Sequence, residues 1–199
     1  MLLEQVLLKQ LYLSRVKKLE TEDNLNIVLV GMMGAGKSYI GAKLAKLLVH
    51  FTYVDTDEII EKNTELTVSE IFESKGEEYF RKLESDVIKK VSSQKNQIIS
   101  IGGGAFTKSE NIKSLKGNSL TFYLKAPASE LFNRIKDETH RPLLSNDFSQ
   151  LTVESLLNKR QKYYMQADFI IDTNQMPAYA ILDTILGEYE KYDKQRTSR

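Results

Sequence analysis

The chain of 199 residues contains no cysteine. Disulfide bridges and thiolate metal sites are therefore excluded, and the composition fits a reducing compartment. Charge of one sign is lacking too: 28 Lys and Arg stand against 27 Asp and Glu, a formal net charge of +1. That balance gives no reason to expect nucleic acid or a membrane surface as a partner. No apolar run reaches the ~20 residues that a bilayer-spanning helix needs. No internal repeat and no low-complexity tract is present.

What is there fits one compact domain preceded by an extension. The first residues, "MLLEQVLLKQLYLSRVKKLE", are interrupted by Glu4, Lys9 and Gln10 and lack a small-residue cleavage site. Leu3, Leu7 and Leu11 recur at helical spacing, as do Tyr12, Val16 and Leu19. The expectation is an amphipathic helical extension with a polar linker, residues 1–24, and a second unit over 25–199. The extension would lie on the domain or on a partner subunit. A monomer is expected, with the extension as the place for any self-association.

From Asn24 onward, strand and helix patterns alternate. "NIVLVG", "FTYVD", "QIISIG", "LTFYL" and "DFIID" read as strands. "KSYIGAKLAKLL", "TVSEIFESK", "GEEYFRKLESDVIKKV", "PASELFNRIKD", "TVESLLNKRQKYY" and Ala178–Lys191 read as helices. Thr67 and Glu70 have the spacing of a capping box, and Pro127 suits a first turn. Such alternation predicts a parallel sheet covered on both faces. "HRPLLSNDFSQ", His140–Gln150, reads as a surface loop or a mobile lid.

"GMMGAGKS", Gly31–Ser38, fits G-x-x-x-x-G-K-[ST] between a strand and a helix, the context that this phosphate-binding loop demands. Its glycines let successive N–H groups converge on an anion, and the helix N-terminus adds partial positive charge. Lys37 is placed to reach the β- and γ-phosphates, and Ser38 to offer its hydroxyl to Mg²⁺. Nucleoside triphosphate binding follows. A guanine-reading N-K-x-D motif is absent, since Asn158-Lys159 is followed by Arg160 and Gln161. The chain is short for a motor or transporter ATPase, so small kinases remain.

Asp55 and Asp57 close the second strand. Read as i and i+2 of a strand, they share a face that looks toward the cleft. The other reading is a strand-to-helix turn in which one Asp caps the next helix. Arg160 falls on the apolar stripe of Val153, Leu156, Leu157 and Tyr164, where a guanidinium must find an anion or reach outward. Arg81 flanks the stripe of its own helix, with Glu84 three residues on. Each alone suits a structural ion pair. Together with the P-loop and the glycine triplet Gly102–Gly104, they suggest an anionic second substrate. Glycines at the end of the third strand would let the backbone approach a ligand closely.

With these pieces in place, the chain resembles the shikimate kinases from about Asn26 to Leu186. The resemblance is carried by "GMMGAGKS", "DTD", "FRKLE", "GGG", "RPLL" and "KRQKYY" in that family's order and approximate spacing. The P-loop is shared by many families, whereas the other motifs together are far more specific. The resemblance implies an α/β fold of the nucleoside monophosphate kinase type: a five-stranded parallel sheet flanked by helices, with a lid at about 137–150. It implies ATP-dependent phosphorylation of the 3-hydroxyl of shikimate, in aromatic amino-acid biosynthesis in the cytoplasm, with Mg²⁺ as cofactor.

By the same resemblance, Asp57 would bind the shikimate hydroxyls and serve as base, and Asp55 would reach Mg²⁺ through water beside Ser38. Arg81, Arg160, Gly102, Gly103 and Gly104 would hold the acceptor and its carboxylate. Gly34, Ala35, Gly36, Lys37, Ser38, Tyr39, Arg134 and Gln175 would form the nucleotide side, with Arg134 against adenine. Arg141 would reach the phosphates with the lid and, with Lys37 and Asp57, act in catalysis. The extension departs from the family's minimal chain, and Gln175 stands where some relatives carry a basic residue. Alternatives are a related small-molecule kinase such as a gluconate kinase, a nucleoside monophosphate kinase, or a nucleotide-binding regulatory module.

Overall fold

The computed structural model describes residues 25–136 and 149–197. The N-terminal extension, and the greater part of the expected lid with His140 and Arg141, lie outside the described residues. Five strands, β1 (Asn26–Val30), β2 (Thr52–Asp55), β3 (Gln97–Ser100), β4 (Ser119–Lys125) and β5 (Phe169–Asp172), form one sheet in the order β2-β3-β1-β4-β5. Every pairing is parallel. In the centre, Val28 stands opposite Ile99 on one side and Thr121 on the other.

The burial of each strand follows from its composition. β1, β3 and β4 are almost wholly buried, as near-continuous apolar runs require when helices cover both faces. The edge strands β2 and β5 are partly exposed. Asp168 ties β5 to β4, accepting from the Thr121 N–H at 2.9 Å and its hydroxyl at 2.6 Å. Tyr189 closes the domain behind β1 by donating to the Leu25 carbonyl at 2.8 Å.

The helices are α1 (Lys37–Leu47), α2 (Thr56–Thr64), α3 (Val68–Ser92), α4 (Ser109–Lys116), α5 (Ala128–Ile135), α6 (Gln150–Tyr164) and α7 (Ala178–Thr197). α2 and α4 add to the helices anticipated from periodicity. The two helices expected on either side of Gly76 are present and together span α3: Gly76, with φ 83° and ψ 168°, is a non-helical kink between them. The Thr67–Glu70 capping box forms reciprocally. Pro127 stands just before α5, at the capping position rather than inside the first turn. α6 begins at Gln150, two residues earlier than its apolar pattern suggested. The Ser149 hydroxyl accepts the Thr152 N–H at 3.2 Å and starts the helix there. Among the described residues, no helix is long and apolar enough to cross a membrane.

Because all strands run the same way, the loops after β1, β2 and β3 open at one edge of the sheet. That edge is where open α/β folds bind ligands.

Candidate active site

The loop after β1 carries the phosphate-binding sequence. Gly36 precedes α1 with φ 86°, a left-handed conformation that side chains disfavour, and thereby turns the chain into the helix. Lys37 folds back over its own loop, its Nζ donating to the carbonyls of Gly31 at 3.0 Å and Met32 at 3.1 Å. The helix offers its first N–H groups and dipole beside that ammonium. Arg134 of α5 crosses to the same loop, Nη1 donating to the Gly34 carbonyl at 3.3 Å. Ser38 and Tyr39 are exposed on the first turn of α1, and Ala35 is buried beneath the loop.

At the end of β2 the two aspartates differ from the strand-face expectation. Asp55 ends the strand and caps α2, accepting the Asp57 N–H at 3.1 Å, so Asp57 already lies in the first turn of a helix. The capping alternative therefore describes Asp55. Both carboxylates still border the same cleft, because helix entry turns Asp57 toward it. The other oxygen of Asp55 accepts the Ser38 hydroxyl at 3.0 Å and the Tyr53 hydroxyl at 3.1 Å. Burial is the largest cause that pushes the Tyr53 phenol up to about 12, with the Asp55 charge adding to it. Tyr53 therefore stays a donor at neutral pH.

The glycine triplet follows β3 and sits among charged side chains. A Cβ on Gly102 would lie 2.7 Å from Glu84 Oε1 and 2.9 Å from Asp57 Oδ1. One on Gly104 would overlap the Arg81 guanidinium, and one on Gly103 would meet Arg160 Nη1 at 3.4 Å and the Met33 N at 3.4 Å. Three consecutive glycines thus let four functional side chains and the P-loop converge on one stretch of backbone. A single tight turn would not need all three.

The two arginines are held differently. Arg81 pairs with Glu84 through Nη1 and, on α3, with Glu77 at 3.1 Å. Its guanidinium also lies over Phe80 and Phe72, at 5.3 and 6.0 Å from the ring centroids. Arg160 is only 8% exposed, yet among the described residues no carboxylate pairs with it. Its Nη1 lies 3.8 Å from Met32 Sδ, and the Tyr164 hydroxyl is beside it. Tyr164, one turn on, donates to the Gly103 carbonyl and lies 3.8 Å from the same sulfur.

Glu84, which the sequence offered only as an ion-pair partner of Arg81, also lines the cleft. It is fully buried at the centre of these groups. Burial pushes its carboxyl up to about 7, opposed by Arg81 and assisted by Asp57. Its signal was the "FRKLE" run, which places it three residues after Arg81 on one helix face.

These residues line one cleft of about 390 Å³. Gly34, Gly36, Lys37, Ser38, Tyr39 and Arg134 form one end. Arg81, Glu84, Gly102–Gly104 and Arg160 form the other, Asp57 lies between them next to Asp55, and Val68, Phe72 and Phe80 make an apolar wall. Gln175 is exposed between β5 and α7, with φ 56°, and does not line the cleft. The arrangement suits an anion bound to the loop, a second anion bound by arginines, and a carboxylate between them.

Residues 33–190 match the family model described as shikimate kinase. The chain belongs to the shikimate kinase family. A shikimate kinase of Thermodesulfovibrio yellowstonii is 41% identical over 172 residues, covering 86% of this chain and 99% of that one. The structure of shikimate kinase from Acinetobacter baumannii in complex with shikimate superposes with a TM-score of 0.79 at 36% identity. The match covers 87% of this chain and 98% of that one. A gluconokinase from Sinorhizobium meliloti shares the fold at a TM-score of 0.55, with 17% identity. Membership in the shikimate kinase family makes this chain a kinase with the P-loop fold expected from its motifs.

Proposed function

We propose that this shikimate kinase family member transfers the γ-phosphoryl group of ATP to the 3-hydroxyl of shikimate, releasing ADP and shikimate 3-phosphate. The observation that carries the reading is Arg160. It is a buried guanidinium beside Gly103 with no carboxylate partner among the described residues. A buried charge of that kind calls for an anion. The carboxylate of shikimate would supply one, held by Arg160 and Arg81 in a planar fork geometry.

ATP would lie along the P-loop with Arg134 and Tyr39 toward the base and Lys37 on the β- and γ-phosphates. Ser38 and Asp55 are hard oxygen donors 3.0 Å apart at the phosphate end. They fit Mg²⁺, which takes one or two protein oxygens and completes its shell with phosphate and water. Among the described residues, no group of three or more His, Asp or Glu could hold a metal on its own. A cation bound with the nucleotide would neutralise charge on the phosphate oxygens.

Asp57 stands between the two ends of the cleft. We assign it the acceptor hydroxyl: it orients that oxygen for in-line attack and takes its proton. The new O–P bond forms as the bond from the γ-phosphorus to its bridging oxygen breaks, and ADP leaves. A loose transition state requires positioning and charge stabilisation above all, which Lys37 would provide at the phosphates and Arg81 and Arg160 at the acceptor. The reading goes with a cytoplasmic location, where ATP is at hand.

Mass spectrometry of shikimate after incubation with the enzyme and MgATP tests this. The expected product carries one added phosphoryl group. Unmodified shikimate alongside full conversion of ATP to ADP would overturn the transfer.

A further inference from the structure

Tyr53 does not line the cleft, yet it is bonded to a residue that does. Its hydroxyl and that of Ser38 both donate to Asp55 Oδ2, at 3.1 and 3.0 Å. The Asp57 N–H holds Oδ1 at 3.1 Å. Three donors, from β2, α1 and α2, therefore fix the carboxylate at both oxygens. A serine hydroxyl has one hydrogen and two lone pairs. With its hydrogen committed to Asp55, Ser38 keeps its lone pairs for a ligand in the cleft that it lines. The direction of those lone pairs is set by where Asp55 Oδ2 sits.

The Tyr53 ring is itself held in place. It packs against Gly41, one turn beyond Ser38 on α1, and a methyl group at Gly41 would overlap the ring. Alanine in a helix interior is favoured over glycine. Gly41 therefore costs helical stability and in return admits a ring whose hydroxyl reaches Asp55. On the adjacent strand, Ser100 stands in register with Asp55, which closes the group from the β3 side.

We infer that Tyr53 is a positioning residue for the divalent-cation site. Its hydroxyl fixes Asp55 and, through Asp55, aims the lone pairs of Ser38. The inference rests on the P-loop reading above. Outer partners of this type typically contribute about 10-fold or more to metal affinity.

The test uses the full chain and Mn²⁺ as the probe, with free Mn²⁺ measured by electron paramagnetic resonance in the presence of saturating ADP. Tyr53→Phe keeps the ring and removes the donor. It is expected to weaken Mn²⁺ binding about 10-fold and to raise the Mg²⁺ needed for half-maximal rate in parallel. Metal-free ADP affinity and the KM for shikimate should stay as in the wild type. A merely structural role would not separate these readouts. Gly41→Ala, which displaces the ring while keeping the hydroxyl, should weaken Mn²⁺ in the same direction.

Mn²⁺ affinity within about twofold of the wild type in Tyr53→Phe would overturn the inference while leaving the P-loop reading intact. A wild-type ADP complex that binds no Mn²⁺ would overturn both. If Tyr53→Phe does not fold, Gly41→Ala decides, and wild-type Mn²⁺ affinity in that variant overturns the inference.

Discussion

Glu84 grips Arg81 through both carboxylate oxygens, Nη1 donating at 3.0 and 2.9 Å, from a position with no solvent exposure. The pair holds the Arg81 guanidinium in a fixed orientation, but it places a carboxyl in a dry site beside Asp57. The two effects make separate predictions.

The carboxyl of Glu84 is pushed up to about 7 from 4.5, chiefly by burial. In the window between those values the folded state holds a proton that the unfolded state releases. This group therefore favours folding most below pH 4.5, and that contribution is lost as pH rises through about 7. Denaturant unfolding at about pH 5 and pH 8 should show the wild type losing on the order of 1–2 kcal/mol relative to Glu84→Gln. An identical difference between the two proteins at both pH values would contradict it.

Gly104→Ala places a methyl group into the Arg81 guanidinium. Arg81 must move, and misplacement of about 1 Å at a positioning group can cost about 100-fold. The KM for shikimate should rise by a factor in the range of about 10 to 100, while ATP binding is unchanged. Equal losses toward both substrates would point to general misfolding instead.

Arg160→Ala removes a buried charge that has no carboxylate partner among the described residues. Hydrogen bonds to charged groups contribute about 1.5–3 kcal/mol, so shikimate affinity should fall about 10- to 100-fold. Arg160→Lys should recover only part of this, since an ammonium lacks the planar fork. Titration calorimetry with shikimate checks both variants. Wild-type affinity in the alanine variant would remove Arg160 from the acceptor site.

Asp57→Asn keeps the shape of the first turn of α2 and removes the proposed base. Turnover is expected to fall by a factor in the range of about 10² to 10⁴. Thermal unfolding and ATP affinity should stay near wild type. A wild-type steady-state rate would refute the role given to Asp57.

The P-loop, the glycine triplet and the buried Arg160 were legible because each is a local pattern with one physical consequence. "GMMGAGKS" needs only its own strand and helix, and Arg160 shows its peculiarity against the apolar residues of its own helix. The sheet order was not legible, because β1 pairs with Ile98–Ser100 and with Ser119–Tyr123, and no short window records such distant partners. α2 and α4 were missed because "TDEIIEKNT" and "SENIKSLK" are short and polar, with too few apolar residues to show a period. Asp57 stayed open between a strand face and a capped helix turn, because over two residues the capping signal of Asp55 resembles strand alternation. The role of Glu84 depends on its burial against β3 and on the shape of the triplet, which only the tertiary structure brings together.

The acceptor is tested most directly by steady-state ADP release from MgATP with shikimate, gluconate or a nucleoside monophosphate supplied in turn. Release is expected to depend on shikimate and to stay near background with the other two. Release driven by gluconate or by the nucleoside monophosphate, with none from shikimate, would contradict it.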